Sequence, residues 1–135
     1  MQFLHTMIRA KDLDATLTFF CTHLGLVEVN RYDSEKGRFT LVFLAAPADV
    51  ESAKERKAPL VEITYNWDTE DYDLGDAYGH IAVQVPDATA ACEMVRTKGG
   101  KVTREAGPMK HGGSVIAFVE DPDGYKIEFV ERQAA

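Results

Sequence analysis

A shift of 75 residues, which sets His5 on His80, lays much of the first half of the chain over the second, so the fold has to be one small unit built twice. Asp12 then falls on Asp87, each seven residues past its histidine and each suited to cap a helix by accepting from its first free amides. Leu13, Leu17, Phe20 and Leu24 fall on Ala88, Cys92, Val95 and Gly99, with the spacing of one buried helical stripe. Gly25 falls on Gly100, where a left-handed helix exit is expected.

A strand precedes each helix, over 2–9 and 78–86, and three more follow it. Their alternation places them at 26–33, 38–45 and 60–66, then at 101–105, 113–120 and 125–131. The fold class is therefore α+β, a duplicated βαβββ module: one copy over 1–66, a linker over 67–77, and the second copy over 78–135. Residues 46–59, with Pro47, Pro59 and a run of charges, interrupt only the first copy and read as a surface insertion with a short helix. Two such sheets, each with a helix on one face, are expected to pair their other faces into a concave wall around a ligand.

Composition narrows the partners. The 135 residues are 45% hydrophobic, ordinary for a globular chain, and no run approaches the roughly 20 apolar residues of a membrane span. A net charge of -7 argues against a nucleic-acid partner, which needs a basic face. The expectation is a cytoplasmic protein without nucleic-acid or membrane partners, in which Cys21 and Cys92 are buried free thiols on helices.

Polar residues stand where a core strand should be apolar. Residues two apart share a face, so His5 points with Phe3, Met7 and Arg9, and His80 with Ala82 and Gln84. The last strand of each half carries one glutamate among apolar neighbours, Glu62 in Leu60-Val61-Glu62-Ile63 and Glu128 in Ile127-Glu128-Phe129. A carboxylate there is costly unless it is paired or bound to a cation. Two histidines and two glutamates on repeated strands make a metal site for a divalent ion; nickel, cobalt, manganese, iron and zinc all suit that donor set.

These residues resemble the glyoxalase I family of the vicinal oxygen chelate superfamily. The likeness runs from Phe3-Leu4-His5-Thr6-Met7-Ile8-Arg9 through Glu62-Ile63-Thr64-Tyr65-Asn66-Trp67, Ala77-Tyr78-Gly79-His80-Ile81-Ala82 and Thr103-Arg104-Glu105-Ala106-Gly107-Pro108 to Asp121-Pro122-Asp123-Gly124-Tyr125-Lys126-Ile127-Glu128. It implies that His5, Glu62, His80 and Glu128 ligate the metal, at sites shared across a homodimer interface with half the ligands from each subunit. It further implies a lyase that converts the hemithioacetal of methylglyoxal and glutathione to S-lactoylglutathione by metal-assisted proton transfer through an enediolate. Glu128 is then the base, with Glu62 a ligand and relay.

Short bacterial members of the family are typically nickel- or cobalt-activated, so Ni2+ is expected, with Co2+ an alternative and Zn2+ second. Arg9 and Asn66 match positions that hold glutathione, each four residues beyond a ligand on the same strand face. Asp76 stands where eukaryotic relatives place an arginine, which leaves Arg104 or Lys110 for the second anionic contact. The stretch 108–113 reads as a flap over substrate, and Phe43, Met109 and Phe118 as candidates for an apolar wall. His23 reads as structural and His111 as exposed. A non-catalytic binding protein of the bleomycin-resistance kind shares the fold and is the alternative.

Overall fold

The computed structural model describes residues 1–133. Two compact units divide it, one over Met1–Asp73 and one from Leu74 onward. In the first, β1 (His5–Arg9) leads to α1 (Leu13–Leu17), whose last residue runs into a π-helical segment (Thr18–His23). Then come β2 (Val27–Ser34), β3 (Phe39–Ala45), a 3-10 turn (Pro47–Asp49), α2 (Val50–Arg56) and β4 (Leu60–Asn66). The second holds β5 (His80–Val85), α3 (Ala88–Thr97), β6 (Lys101–Pro108), β7 (Val115–Glu120) and β8 (Lys126–Glu131). The sheets have the same topology, β1-β4-β3-β2 and β5-β8-β7-β6, so in each the first strand pairs in parallel with the last.

The repeat is visible in the caps. The Asp12 carboxylate accepts from Ala15 N at 3.0 Å, and that of Asp87 accepts from Ala90 N at 2.8 Å. Each fills one of the bonds a helix start leaves open. Beyond the caps the copies differ. The π segment closes its turns over five residues, with Leu24 N donating to Phe19 O and Leu26 N to Phe20 O six residues back. That wider turn places the left-handed exit of the first helix at Gly25, but of the second at Gly99 and not at Gly100. The buried stripe also departs from the expected one: Thr16, Phe19 and Phe20 are buried, whereas Leu13 and Leu17 are only partly so. In α3, Ala88, Cys92 and Val95 are buried as the spacing predicts.

Other differences are local. β1 and β5 begin at their histidines, later than expected. β6 runs three residues past 105, bulged at Arg104, which shortens the segment before β7. The insertion does contain a helix, α2, and 67–77 is irregular. Both cysteines are free thiols, Cys92 buried but Cys21 only partly. No helix among the described residues is long and apolar enough to cross a membrane.

Each core lies on one face of its sheet. Ile8, Val42, Leu44 and Ile63 are buried in the first, and Ala117, Val119, Ile127 and Phe129 in the second. The Asp-Pro-Asp-Gly turn between β7 and β8 is held by Asp121, whose Oδ1 accepts from Asp123 N and Tyr125 N, both at 2.9 Å. Gly124, at φ 95°, supplies the left-handed step of that turn. Asp121 is 5% exposed, and its Oδ2 finds no partner among the described residues.

Burial pushes the Asp121 carboxyl up to about 6, against the pull of its backbone donors. A folded-state value above the ordinary 3.8 means the native state holds the proton more tightly, so stability falls as pH rises from about 4 to about 6 and stays lower above that. The loss is at most about 3 kcal/mol. Asp121→Asn keeps the turn acceptor and removes the ionisation, so the variant should lose that part of the decline. Urea unfolding at pH 4.5 and pH 7.5 checks it; an unchanged slope between the two would contradict the assignment.

Candidate functional site

The parallel pairing sets the site. In β1 and β4, His5 lies beside Leu60 and Met7 beside Glu62, so the imidazole and the carboxylate share one face, one pleat period apart. In β5 and β8, His80 lies beside Lys126 and Ala82 beside Glu128, with the same offset. The side chains close that offset: His5 Nε2 is 2.7 Å from Glu62 Oε2, and His80 Nε2 is 2.9 Å from Glu128 Oε2. Both pairs lie on the sheet face opposite Ile8, Ile63 and Ile127; in the first unit α2 packs over part of that face, beside His5.

A third strand fixes the rings. Phe43 of β3 is the register partner of Glu62, and Phe118 of β7 that of Glu128. Each phenyl meets its imidazole edge to face, with centroids 5.9 Å apart for His5 and Phe43 and 5.2 Å for His80 and Phe118, both tilted by 74°. Phe43 and Phe118 are themselves 75 residues apart. The carboxylates are the more sheltered partners, with side chains 12% and 16% exposed, against 34% and 41% for the imidazoles. A carboxylate that has lost most of its water needs a cation or a donor, and here the imidazole is that partner.

Imidazole nitrogen with carboxylate oxygen is a donor set that first-row divalent ions take, so the residues fit a metal. Among the described residues no three His, Cys, Asp or Glu side chains gather to hold an ion. Each half therefore offers two protein donors.

The candidate substrate contacts divide. Arg9 lies beside Thr64, and Asn66 is two residues beyond it, so the two stand in the same relation as His5 and Glu62 at the other end of the same face. Asn66 Nδ2 donates to the Tyr72 hydroxyl at 2.9 Å, and beside it Lys11 reaches Asp71 at 3.6 Å. The bond to Tyr72 has no signal in the sequence, because the segment that carries it has no periodicity. Arg104 is committed to its own hairpin, donating to the carbonyls of Ile116 at 2.8 Å and Pro108 at 3.0 Å. It also lines an open cavity with His80 and Phe118. Lys110, Met109 and His111 are exposed, and Lys110 has no ion pair among the described residues.

Known proteins resemble this chain over nearly its whole length. Residues 2–129 match the family described as the Glyoxalase/Bleomycin resistance protein/Dioxygenase superfamily. The lactoylglutathione lyase of Neisseria meningitidis serogroup B is 54% identical over 134 residues, which cover 99% of this chain and 93% of that one. That of Salmonella typhimurium is 46% identical over 135 residues, 100% of this chain and 96% of the other. Among solved structures, glyoxalase I from Zea mays superposes with a TM-score of 0.89 at 36% identity, covering 99% of this chain and 46% of the maize chain. This chain thus spans just under half of the maize protein. The trypanothione-dependent glyoxalase I of Leishmania major superposes at 0.80 with 35% identity over 97% of this chain and 86% of that one. With whole-chain identity on this scale and a family match over nearly every residue, the chain belongs to the glyoxalase superfamily and, within it, to the lactoylglutathione lyases, or glyoxalases I.

Proposed function

We propose that the His5–Glu62 and His80–Glu128 pairs are two halves of one kind of divalent-metal site, at which this lactoylglutathione lyase converts the methylglyoxal–glutathione hemithioacetal to S-lactoylglutathione. The observation that carries the reading is the pair of matched imidazole–carboxylate contacts, 2.7 and 2.9 Å, at repeated positions of a chain about half identical to lyases of that name. When bound, the ion supplies positive charge for the two neighbouring oxygens of the substrate. The remaining roles belong to side chains. The alternative of a non-catalytic bleomycin-resistance type of binding protein is not favoured beside such relatives.

The reaction moves a proton between adjacent carbons, and a carbon-bound hydrogen is a weak acid. Glu128 is the base: its carboxylate sits on the open face beside His80, within reach of a ligand laid there. Glu62 holds the metal and relays the proton on the other side of the substrate. Arg9 and Asn66 grip the glutathione end, a guanidinium for a carboxylate and an amide for a peptide group, on the same strands as His5 and Glu62. For the second anionic contact, Lys110 has its ammonium unengaged, whereas Arg104 would have to share donors already given to backbone carbonyls.

One pair gives two ligands, and a second copy of the chain supplies the other two. The protein is accordingly a homodimer with two sites at its interface, each combining the first pair of one copy with the second pair of the other. Two imidazoles and two carboxylates leave two positions of a six-ligand ion for water or substrate oxygens, which favours Ni2+, then Co2+, over Zn2+. Cytoplasmic residence goes with this reading and with two thiols left unpaired.

Three outcomes test the proposal. Metal-stripped protein reconstituted separately with nickel, cobalt and zinc should regain S-lactoylglutathione formation, followed by ultraviolet absorbance, with nickel and cobalt; recovery with zinc alone would reverse the choice of metal, and recovery with none would remove the site. Glu128→Gln, checked for metal content, should lose turnover by on the order of 10²–10⁴-fold. Near-normal turnover with metal bound would reassign the base. Arg9→Ala should raise KM roughly 10- to 100-fold, the worth of a charge-assisted hydrogen bond, with a smaller change in kcat. A fall confined to kcat would take Arg9 out of substrate binding.

A further inference from the structure

We propose that the insertion between β3 and β4 makes the His5 side of the site selective for 2-oxoaldehydes whose side arm ends in a carboxylate, with Lys54 and Lys57 as the selecting residues. The inference rests on the reading of His5 as a metal ligand.

A cavity of about 310 Å³ opens beside His5, between the open face of the first sheet and α2. Its floor is apolar, from Val29, Phe43 and Leu60. The roof is anchored: Ala53 of α2, 1% exposed, is part of a cluster with Ala45 and Leu60. A methyl group needs roughly the 30 Å³ share of one water molecule, about a tenth of that space. The cavity therefore has room for an arm several carbons longer than that of methylglyoxal.

The charged residues among those lining it are both cationic. Lys54, within α2, and Lys57, its left-handed C-terminal cap at φ 61°, both line the cavity. Among the described residues neither makes an ion pair, although Glu51 and Glu55 lie on the same helix. An apolar floor next to two unengaged ammonium groups suits a ligand with a hydrocarbon arm and an anionic tip, since the low-dielectric wall strengthens the attraction. The matching position in the second unit has no such roof. Beside His80 and Phe118 the cavity is walled by Tyr78, Thr103, Arg104 and Lys126, and β7 passes to β8 through the short Asp-Pro-Asp-Gly turn with no helix between. The roof belongs to the copy that carries the insertion.

The test uses nickel-loaded protein and two stable probes, S-(4-carboxybutyl)glutathione and S-pentylglutathione, with affinities measured by calorimetry. In the K54M/K57M double variant the carboxylated probe should weaken about tenfold relative to the pentyl probe, a size fitting two partly solvated charges, and the difference should shrink with added salt. An unchanged ratio of the two Kd values would overturn the proposal. In turnover, kcat/KM for the glutathione hemithioacetal of a carboxylated 2-oxoaldehyde should fall about tenfold relative to methylglyoxal in the same variant. If the unaltered protein turns over methylglyoxal and that ratio does not move, the selectivity fails alone. If it does not turn over methylglyoxal at all, the underlying reading of the site fails with it.

Discussion

Parallel pairing of the first strand of each unit with its last is the constraint on which the site depends. It sets a histidine and a glutamate on one face with a fixed offset, and the edge-on phenyl ring of the next strand limits where the imidazole can turn. A carboxylate so placed has given up most of its water and recovers the cost through a cation or a hydrogen-bond donor. The arrangement is costly for a core and useful for a metal. Because the geometry comes from backbone register, it appears twice with nearly the same distances, although the two halves share few side chains outside it.

Around these conserved distances the copies have taken different shapes. The first has a π-helical turn and an inserted helix that closes a cavity over His5. In the second, a plain α-helix, an uninterrupted sheet and a bulge at Arg104 leave the space beside His80 open. One half thus covers the space beside its histidine with a helix, and the other leaves it open. A duplicated module offers this division because each sheet can change its connections without disturbing the parallel pair at its edge.

Much of this was legible in the residues. The 75-residue repeat, the two aspartate caps, the βαβββ order and the shared faces of His5 with Met7 and His80 with Ala82 all follow from local periodicity, and the structure has them. The helix exit at Gly99 was not legible, because a π turn adds a residue without leaving a compositional mark. Nor was the shift of the buried stripe from Leu13 and Leu17 to Thr16 and Phe19. Arg104 looked free for an anion, yet a guanidinium beside a bulge finds unpaired carbonyls within reach, and only the bulged register shows that. Tyr72 escaped notice for a related reason: its bond to Asn66 depends on how an irregular segment folds back, which no periodicity records.

The central claim is that each metal site draws one imidazole–carboxylate pair from each of two copies, and mixing inactive variants tests it most directly. Take His5→Ala/Glu62→Ala and His80→Ala/Glu128→Ala, each inactive alone, unfold and refold them together with nickel, and measure S-lactoylglutathione formation. Random pairing makes half the dimers mixed, each with one intact site of two, so about a quarter of the unaltered activity should return. No recovery, with dimers shown to have exchanged, would contradict the account.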